Sequence, residues 1–399
     1  MKTLNSVDVM AQPLLLPCGV RLKNRLIKSA MSDSLGDGAG NPTDAQTRLY
    51  ERWADGGAAL SIIGEVQTSA HYPEKPGNLV LTSDADLPAM RELAQRGSKN
   101  GAQIWPQLGH AGALAYAPIS TPKGPSPLNV EGLICGAMSL DEIEGLPQTY
   151  AQAAALAQEV GFGGILIHAG HGFLFSQFLS PLFNHRTDAY GGAVENRFRI
   201  IGAVIAAVRG AVGPHFPIGI KINATDNLAG GLTPQDALDV VRLLAGTSID
   251  LIDVSGGTYF PGAASSSDGV AASGAYFVDF ATRAKQVTSI PIALTGGIRT
   301  RDQAVCALQD GACDAISLAR AMVLNPSLPN TWLRGGGGDP AFPVFDAPPP
   351  GGVTAWYTMR LTALGEDTER EFDQHPVDAL AEYDARDARR VDVWRSRFG

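Results

Sequence analysis

The sequence predicts an α/β protein folded as a (β/α)₈ barrel with a C-terminal helical extension. Short apolar runs alternate with longer amphipathic runs from about residue 26 to residue 320. Several short runs are dense in Ile, Leu or Val without polar alternation, which is typical of strands buried on both faces of a parallel sheet. No G-x-G-x-x-G motif follows the first run, so the open dinucleotide-binding sheet loses its main support.

The predicted strands number eight, which favours the barrel over a doubly wound sheet. The strands are predicted at residues 26–28, 58–63, 103–108, 164–168, 218–222, 251–254, 291–294 and 315–318. The helices between them are predicted at residues 43–54, 86–99, 148–160, 195–212, 233–245, 277–287 and 301–308. Thr233 and Pro234 form a typical helix start, and Gly161 a typical helix end.

Two stretches interrupt this alternation. Residues 111–147 are rich in Pro, Gly and Ser, and we expect a long loop or hairpin over the barrel mouth. Residues 335–353 form a Gly/Pro-rich linker between a barrel domain of residues 1–334 and a helical extension of residues 354–399. Helices are predicted in the extension at residues 354–364 and 376–397. The second is highly charged, which favours a solvated helix over an oligomer contact.

Composition and charge exclude several classes of partner. The chain has 399 residues, 45% of them hydrophobic, and a net charge of −9. An acidic surface repels nucleic acid and anionic membranes, and no apolar run approaches the ~18 residues of a membrane span. The N-terminus lacks a signal-peptide core, and the four cysteines match no zinc pattern. We expect a cytoplasmic protein acting on a small molecule, with a homo-oligomer left open.

Two histidines follow the fourth predicted strand, and active sites in barrels lie at the carboxyl ends of the strands. The strand ends at His168, and His171 comes three residues later. Two neutral imidazoles at this position can donate hydrogen bonds to one substrate oxygen and stabilise negative charge there. A metal site is the alternative, but no nearby Cys, Asp or Glu supplies an obvious third ligand, so no metal is expected.

Polar residues also end the third and fifth predicted strands. Gln107 offers a donor and an acceptor to a planar, amide-like edge, and His110 is either structural or functional. Lys221 lies between Ile220 and Ile222, so we expect it to point into the barrel. It could neutralise an anionic cofactor or form a Schiff base.

The seventh and eighth predicted strands are followed by features of a phosphate site. Gly296 and Gly297 expose backbone N–H groups, and Arg320 adds charge-assisted hydrogen bonds. The loops after these two strands form the usual phosphate site of barrels. A phosphate site together with a Gln and a Lys, without a metal cluster, indicates a phosphorylated planar cofactor. FMN satisfies this description, and a nearby Lys would stabilise the reduced flavin.

Three segments resemble the Old Yellow Enzyme (NADH:flavin oxidoreductase) family. They are residues 168–192 (HAGHGFLFSQFLSPLFNHRTDAYGG) with 195–197 (ENR), residues 22–31 (LKNRLIKSAM) and residues 107–112 (QLGHAG). The resemblance covers roughly residues 13–330. It implies a barrel with tightly bound FMN that oxidises NAD(P)H and passes hydride to an activated alkene such as an α,β-unsaturated carbonyl compound.

The resemblance also implies roles for individual residues. The flavin ring would contact Ala30, Met31, Gln107 and Lys221, with Gln107 at the pyrimidine edge and Lys221 near N1. The phosphate would contact Gly297, Ala319 and Arg320, with Gly296 beside them. His168 and His171 would bind the substrate carbonyl oxygen, and the nicotinamide in the other half-reaction.

Phe173 departs from the family pattern. Family members that reduce enones commonly carry a tyrosine here as the proton donor to the alkene carbon, and phenylalanine has no proton to give. Another donor would have to replace it, either water or one of Tyr72, Tyr116, Tyr259, Tyr276 and Tyr357. Ser32 is a second departure, because some members carry a redox-tuning cysteine there.

These departures leave alternatives open. One is an FMN-dependent dehydrogenase or demethylase acting on an amine or a cyclic compound. A second is an FMN-binding protein with impaired catalysis, and a third is an aldolase-like barrel that uses Lys221 as a Schiff base. In the extension, we expect Trp356 and Tyr357 to pack on the barrel rather than at a neighbouring molecule's active site.

Overall fold

Eight parallel strands close into a barrel in the computed structural model, which describes residues 6–261, 263, 274–335 and 338–399. The strands are Leu26–Lys28 (β1), Leu60–Gln67 (β2), Gln103–Gly109 (β3), Ile165–Ala169 (β4), Ile218–Asn223 (β5), Leu251–Ser255 (β6), Ile292–Thr295 (β7) and Ala315–Leu318 (β8). Each strand pairs with the next along the chain, and β8 pairs with β1 to close the barrel. The predicted fold class is therefore confirmed.

Helices surround the barrel, and two more follow it. They are Asp44–Asp55 (α1), Leu87–Gly97 (α2), Leu140–Glu159 (α3), Val194–Val212 (α4), Pro234–Ala245 (α5), Val278–Lys285 (α6), Arg301–Gln309 (α7), Gly352–Gly365 (α8) and Pro376–Phe398 (α9). Short helices lie at Ser6–Ala11, Leu174–Leu179, Arg320–Leu324 and Leu328–Leu333. A large apolar cluster packs the helices against the barrel, and a smaller one that includes Trp105 and Leu166 fills the barrel interior.

The strands differ from the prediction most clearly in β2. The prediction ended this strand at Ile63, whereas the structure continues it to Gln67. The pairing of β2 with β3 shifts between Ile63 and Val66, as happens at a β-bulge. Glu65 interrupts the apolar pattern without ending the strand, because its side chain finds partners inside the protein.

The segment over the barrel mouth is partly folded. It contains a three-stranded sheet of Lys123–Gly124, Leu128–Val130 and Leu133–Ala137, the last two strands forming an antiparallel pair. This confirms the predicted hairpin. The end of the segment belongs to α3, which begins at Leu140 rather than residue 148. A capping box of Ser139 and Glu142 starts the helix there, although Pro147 lies inside it.

The C-terminal helices pack on the barrel. Helix α8 begins at Gly352 and contacts α1 and α9; positions 336 and 337 of the predicted linker lie outside the described residues. Trp356 is buried against Phe345 and Phe372. Helix α9 was predicted to be solvated, which holds for one face. Its other face buries Asp387 and Trp394 among other residues, so the helix forms part of the folded unit.

Across the residues that the structure describes, no helix combines the length and the apolar character needed to cross a membrane.

Candidate active site

A cavity of about 800 Å³ opens at the carboxyl ends of the barrel strands. Its volume falls within the range of small-molecule and cofactor sites. Eleven residues were predicted for the site, and ten of them line this cavity. The ten are Ala30, Met31, Gln107, His171, Phe173, Lys221, Gly296, Gly297, Ala319 and Arg320. The eleventh, His168, lies beside the cavity rather than on its surface.

The two histidines lie side by side after β4, with ring centroids 5.3 Å apart. His171 faces the cavity, and its Nε2 is 2.9 Å from the Ser255 hydroxyl oxygen. The His168 side chain is only 1% exposed. Its Nδ1 accepts a hydrogen bond from the Gly170 N–H at 3.4 Å, which assigns the ring proton to Nε2. That Nε2 makes no hydrogen bond with any described residue.

Both imidazoles are neutral at pH 7. Burial lowers the pKa of His171 to about 3, and the charge of Lys221 acts in the same direction. Burial also lowers the pKa of His168 well below its ordinary value, and His171 and Lys221 add to the effect. A neutral imidazole keeps one N–H to donate and needs no counter-ion, so this pair suits a substrate oxygen on which negative charge develops.

The turn that carries His171 is held by the neighbouring strands. His171 has a φ of +58° and Gly172 a φ of +83°. The His171 N–H donates to Asn223 Oδ1 at 2.9 Å, which fixes this uncommon conformation. A Cβ on Gly172 would overlap the Thr258 side chain, so glycine is required where the turn meets the segment after β6.

Lys221 points into the barrel and meets a carboxylate there. Its Nζ lies 2.9 Å from Asp253 Oδ2 and donates to the Ser29 hydroxyl at 3.0 Å. Asp253 Oδ1 accepts a hydrogen bond from the Thr295 hydroxyl at 2.6 Å. The ammonium is thus already held by a carboxylate and a hydroxyl, which disfavours the Schiff-base alternative.

Gln107 is oriented by β2. Its Nε2 donates to the Gly64 carbonyl at 2.6 Å and to Glu65 Oε1 at 3.0 Å. Its Oε1 is buried and has no hydrogen-bond partner among the described residues. Burial raises the pKa of Glu65 well above its ordinary value, with Glu74 acting in the same direction. Sequence reasoning missed Glu65, although an acidic residue just after an apolar run was a usable signal.

The opposite end of the cavity is formed by the loops after β7 and β8. Gly296 and Gly297 have φ values of +121° and +73°, and a Cβ on Gly297 would overlap the Gly274 carbonyl oxygen. Arg320 lies over the Tyr357 ring, 5.2 Å from its centroid. Arg299 also lines this end. Arg299 was not among the predicted site residues, although it stands two residues after Gly297.

His110 has a structural environment. It is buried, its Nδ1 accepts a hydrogen bond from the Gly112 N–H at 3.0 Å, and its ring stacks on Tyr72 at 4.4 Å. Burial lowers its pKa to about 3. It does not line the cavity, so the structure favours the structural reading of this residue.

Tyrosines are frequent around the cavity. Of the five that were considered as proton donors, four line it: Tyr116, Tyr259, Tyr276 and Tyr357. Tyr72 does not, and donates instead to Glu142 at 3.3 Å. Tyr383 of α9 also lines the cavity. Sequence reasoning missed it because it lies outside the barrel pattern, on a helix that was expected to be solvated.

Comparison with known proteins places the chain in one family. Residues 11–335 match the model of the NADH:flavin oxidoreductase / NADH oxidase family. The NADH-dependent flavin oxidoreductase iliE of Hypocrea jecorina (strain QM6a) is 35% identical over 357 residues, which cover 80% of this chain and 88% of that protein. The NADPH dehydrogenase of Geobacillus sp. (strain WCH70) is 33% identical over 315 residues, covering 78% and 90%.

A solved structure supports the fold. The Old Yellow Enzyme homologue from Zymomonas mobilis superposes with a TM-score of 0.71 at 24% identity, covering 84% of this chain and 94% of that one. Some other matched proteins are much longer, and this chain spans 46% of one and 53% of another.

The residues around the cavity fit FMN, the cofactor of this family. The unpaired Gln107 Oε1 can accept a hydrogen bond from a flavin ring N–H, and Lys221 supplies positive charge nearby. Gly297 and Arg320 both line the far end of the cavity, and the positive φ of Gly297 makes a tight turn there, of the kind whose backbone N–H groups can bind a phosphate. When bound, FMN would accept hydride from NAD(P)H and deliver it to a second substrate. The chain is an FMN-dependent NAD(P)H oxidoreductase of the Old Yellow Enzyme family.

Proposed function

We propose that this enzyme reduces the carbon–carbon double bond of α,β-unsaturated carbonyl compounds, with His168 and His171 binding the carbonyl oxygen. The observation that carries the proposal is the pair of buried, neutral imidazoles beside the cavity. Hydride addition to an enone places negative charge on its oxygen, and N–H donors that are already oriented stabilise that charge.

The two histidines have different parts in this proposal. His171 faces the cavity and donates to the substrate oxygen directly. His168 keeps a buried Nε2–H without a hydrogen-bond partner among the described residues, so a substrate oxygen that reached it would give this donor an acceptor. Glu65 Oε1 lies 3.5 Å from this nitrogen without forming a hydrogen bond.

The experiment is an anaerobic spectrum of the FMN-bound protein before and after NADH or NADPH, and then after 2-cyclohexenone. We expect the flavin bands to bleach with a nicotinamide and to return with the enone. In His171→Ala the return should slow by about 10²-fold, the usual cost of losing one such donor, and bleaching should need more nicotinamide because His171 is also expected to contact it. Bands that bleach but never return in the wild type would contradict enone reduction.

A second candidate is an FMN-dependent dehydrogenase or demethylase acting on an amine or a cyclic compound. Phe173 favours it, because substrate oxidation needs no proton delivered to an alkene carbon. The same spectra separate the two, since such an enzyme would bleach with its substrate and not recover with the enone. Bands that bleach slowly with both nicotinamides would instead support a flavin-binding protein with impaired catalysis.

A further inference from the structure

We propose that Tyr259 is the proton donor to the alkene carbon, in place of the phenylalanine at position 173. The inference rests on the proposed enone reduction and goes beyond it. Phe173 lines the cavity beside His168, with ring centroids 4.9 Å apart. Its ring therefore occupies the place of a donor next to the histidine pair, without a hydroxyl to supply the proton.

Tyr259 is a tyrosine whose ring neighbours both Phe173 and His171. Its ring centroid is 5.9 Å from that of Phe173 and 6.0 Å from that of His171, and its side chain lines the same cavity. A phenol at this position borders both the histidine that would bind the carbonyl oxygen and the ring that replaces the usual donor.

The other tyrosines of the cavity are placed for different contacts. Tyr116 and Tyr383 both lie against the Lys75 ammonium, with centroids 4.7 and 5.0 Å from its Nζ. Tyr276 packs on Phe277 next to Gly296, and Tyr357 lies under Arg320. Tyr116 and Tyr383 thus border the α9 side of the cavity. Tyr276 and Tyr357 border the end formed by the loops after β7 and β8, away from the histidine pair.

The backbone fixes Tyr259 relative to the turn after β4. The Tyr259 N–H donates to the His171 carbonyl at 3.1 Å, and the preceding residue, Thr258, forms a β-bridge with His171. On the other side, Phe260 stacks on Phe183 with centroids 3.8 Å apart. These backbone contacts therefore hold Tyr259 next to His171.

Proton delivery from Tyr259 balances the reaction. When bound, FMN reduced by NAD(P)H would supply hydride to the carbon β to the carbonyl, with NAD(P)H as the electron donor overall. The carbon α to the carbonyl forms its new bond to hydrogen as the Tyr259 O–H bond breaks. The tyrosine regains its proton from solvent, which reaches it because the residue is 50% exposed.

The test compares Tyr259→Phe, Phe173→Tyr and the double variant, with Tyr72→Phe as the matched control outside the cavity. Bleaching by NADPH should stay within about twofold of the wild type in Tyr72→Phe, and the other three variants are each reduced fully before reoxidation is measured. Reoxidation by 2-cyclohexenone should slow by about 10²-fold in Tyr259→Phe, the usual contribution of general acid catalysis, and should recover at least tenfold in the double variant. Binding of 2-cyclohexenone to the oxidised protein, measured by calorimetry, should be the same in wild type and Tyr259→Phe.

Three outcomes would overturn the proposal. Reoxidation of Tyr259→Phe within threefold of the wild type would show that its hydroxyl gives no proton. A parallel loss of enone binding would show that Tyr259 only binds substrate. A wild-type enzyme that the enone fails to reoxidise would overturn this inference and the proposed function together, whereas the first two outcomes leave the proposed function intact.

Discussion

Lys221 and Asp253 occupy paired positions on β5 and β6, and their charged groups meet 2.9 Å apart with both side chains almost fully buried. His168 pairs with Lys221 on the other side. One level of the barrel thus carries an imidazole, an ammonium and a carboxylate in a row. The charge that the cavity offers to a flavin is therefore a lysine already balanced by an acid.

Removing Lys221 and removing Asp253 should change different properties of the protein. Lys221→Met leaves a buried carboxylate, so we expect it to lower the free energy of unfolding by about 3–5 kcal/mol and to weaken FMN retention. Asp253→Asn leaves the ammonium unbalanced, so the flavin reduction potential should rise. Denaturant unfolding and a redox titration measure the two effects.

Lys285→Met is the control for this pair, because the Lys285–Asp314 ion pair is partly exposed. Exposed pairs contribute about 0–1 kcal/mol. An Asp253→Asn variant with an unchanged or lowered flavin potential would contradict the role of this pair.

Gln107→Leu should weaken FMN binding by about tenfold or more. The substitution removes the Oε1 acceptor that is free for a flavin N–H, and it leaves Glu65 and the Gly64 carbonyl without their donor. Fluorescence titration of the apoprotein with FMN gives the dissociation constant. Gln235→Leu, on the exposed surface of α5, is the control. Equal FMN affinity in Gln107→Leu and wild type would rule out this contact.

Gly297→Ala should abolish tight FMN binding. Its Cβ would overlap the Gly274 carbonyl oxygen, so the loop after β7 must move. Gly213→Ala is the matched control, because Gly213 has a similar φ of +75° and nothing within 4 Å of an added Cβ. Both variants carry backbone strain, but only the first should lose FMN on gel filtration. Retention of FMN in Gly297→Ala would contradict the placement of the phosphate.

Lys28→Met should make the protein more stable at pH 7, with the gain shrinking as the pH rises. Burial lowers the pKa of Lys28 to about 7 against an ordinary value of 10.5, although the Asp33 carboxylate opposes the shift. Between pH 7 and pH 10.5, Lys28 is more protonated in the unfolded chain than in the folded protein. The contribution of Lys28 to the stability of the wild type therefore increases as the pH rises. The difference between variant and wild type should shrink by up to about 1.4 kcal/mol per pH unit.

Denaturant unfolding of both proteins at intervals from pH 7 to pH 10 measures this slope. A stability difference that stays constant across that range would mean that Lys28 is already neutral, or fully charged, throughout it.

Lys75→Met should loosen α9. Lys75 Nζ lies 3.2 Å from Asp387 Oδ2, and the Asp387 side chain is 2% exposed. Loss of the lysine leaves that carboxylate buried without its partner, which costs about 3 kcal/mol. Amides of α9 should therefore exchange with solvent faster. Burial raises the pKa of Asp387, so the effect should fade as acid protonates this carboxyl.

Arg397→Met is the control for Lys75→Met. Arg397 also belongs to α9, but its ion pair with Asp84 is largely exposed. Hydrogen exchange of α9 that is equal in Lys75→Met, Arg397→Met and wild type would show that the buried pair does not hold the helix.

The sequence was enough to predict the barrel because parallel strands buried on both faces read as unbroken apolar runs. The prediction failed at the ends of elements. It ended β2 at Ile63 because Glu65 breaks the apolar pattern, and it began α3 after Pro147 because a proline disfavours a helix interior. In β2, the contacts of Glu65 with residues distant in sequence outweighed the local pattern. In α3, the capping box of Ser139 and Glu142 did so.

The sequence by itself determined which side chains stand at the strand ends, including His171, Gln107 and Gly297, because the repeat of strand and helix places every strand end on one rim. Only the tertiary structure decided their partners. It paired Lys221 with Asp253, placed Glu65 against Gln107, and brought Tyr259 and Tyr383 to the cavity. Such contacts depend on the register between strands and on how the C-terminal helices dock, and pairings of residues far apart in the chain leave no local pattern in the sequence.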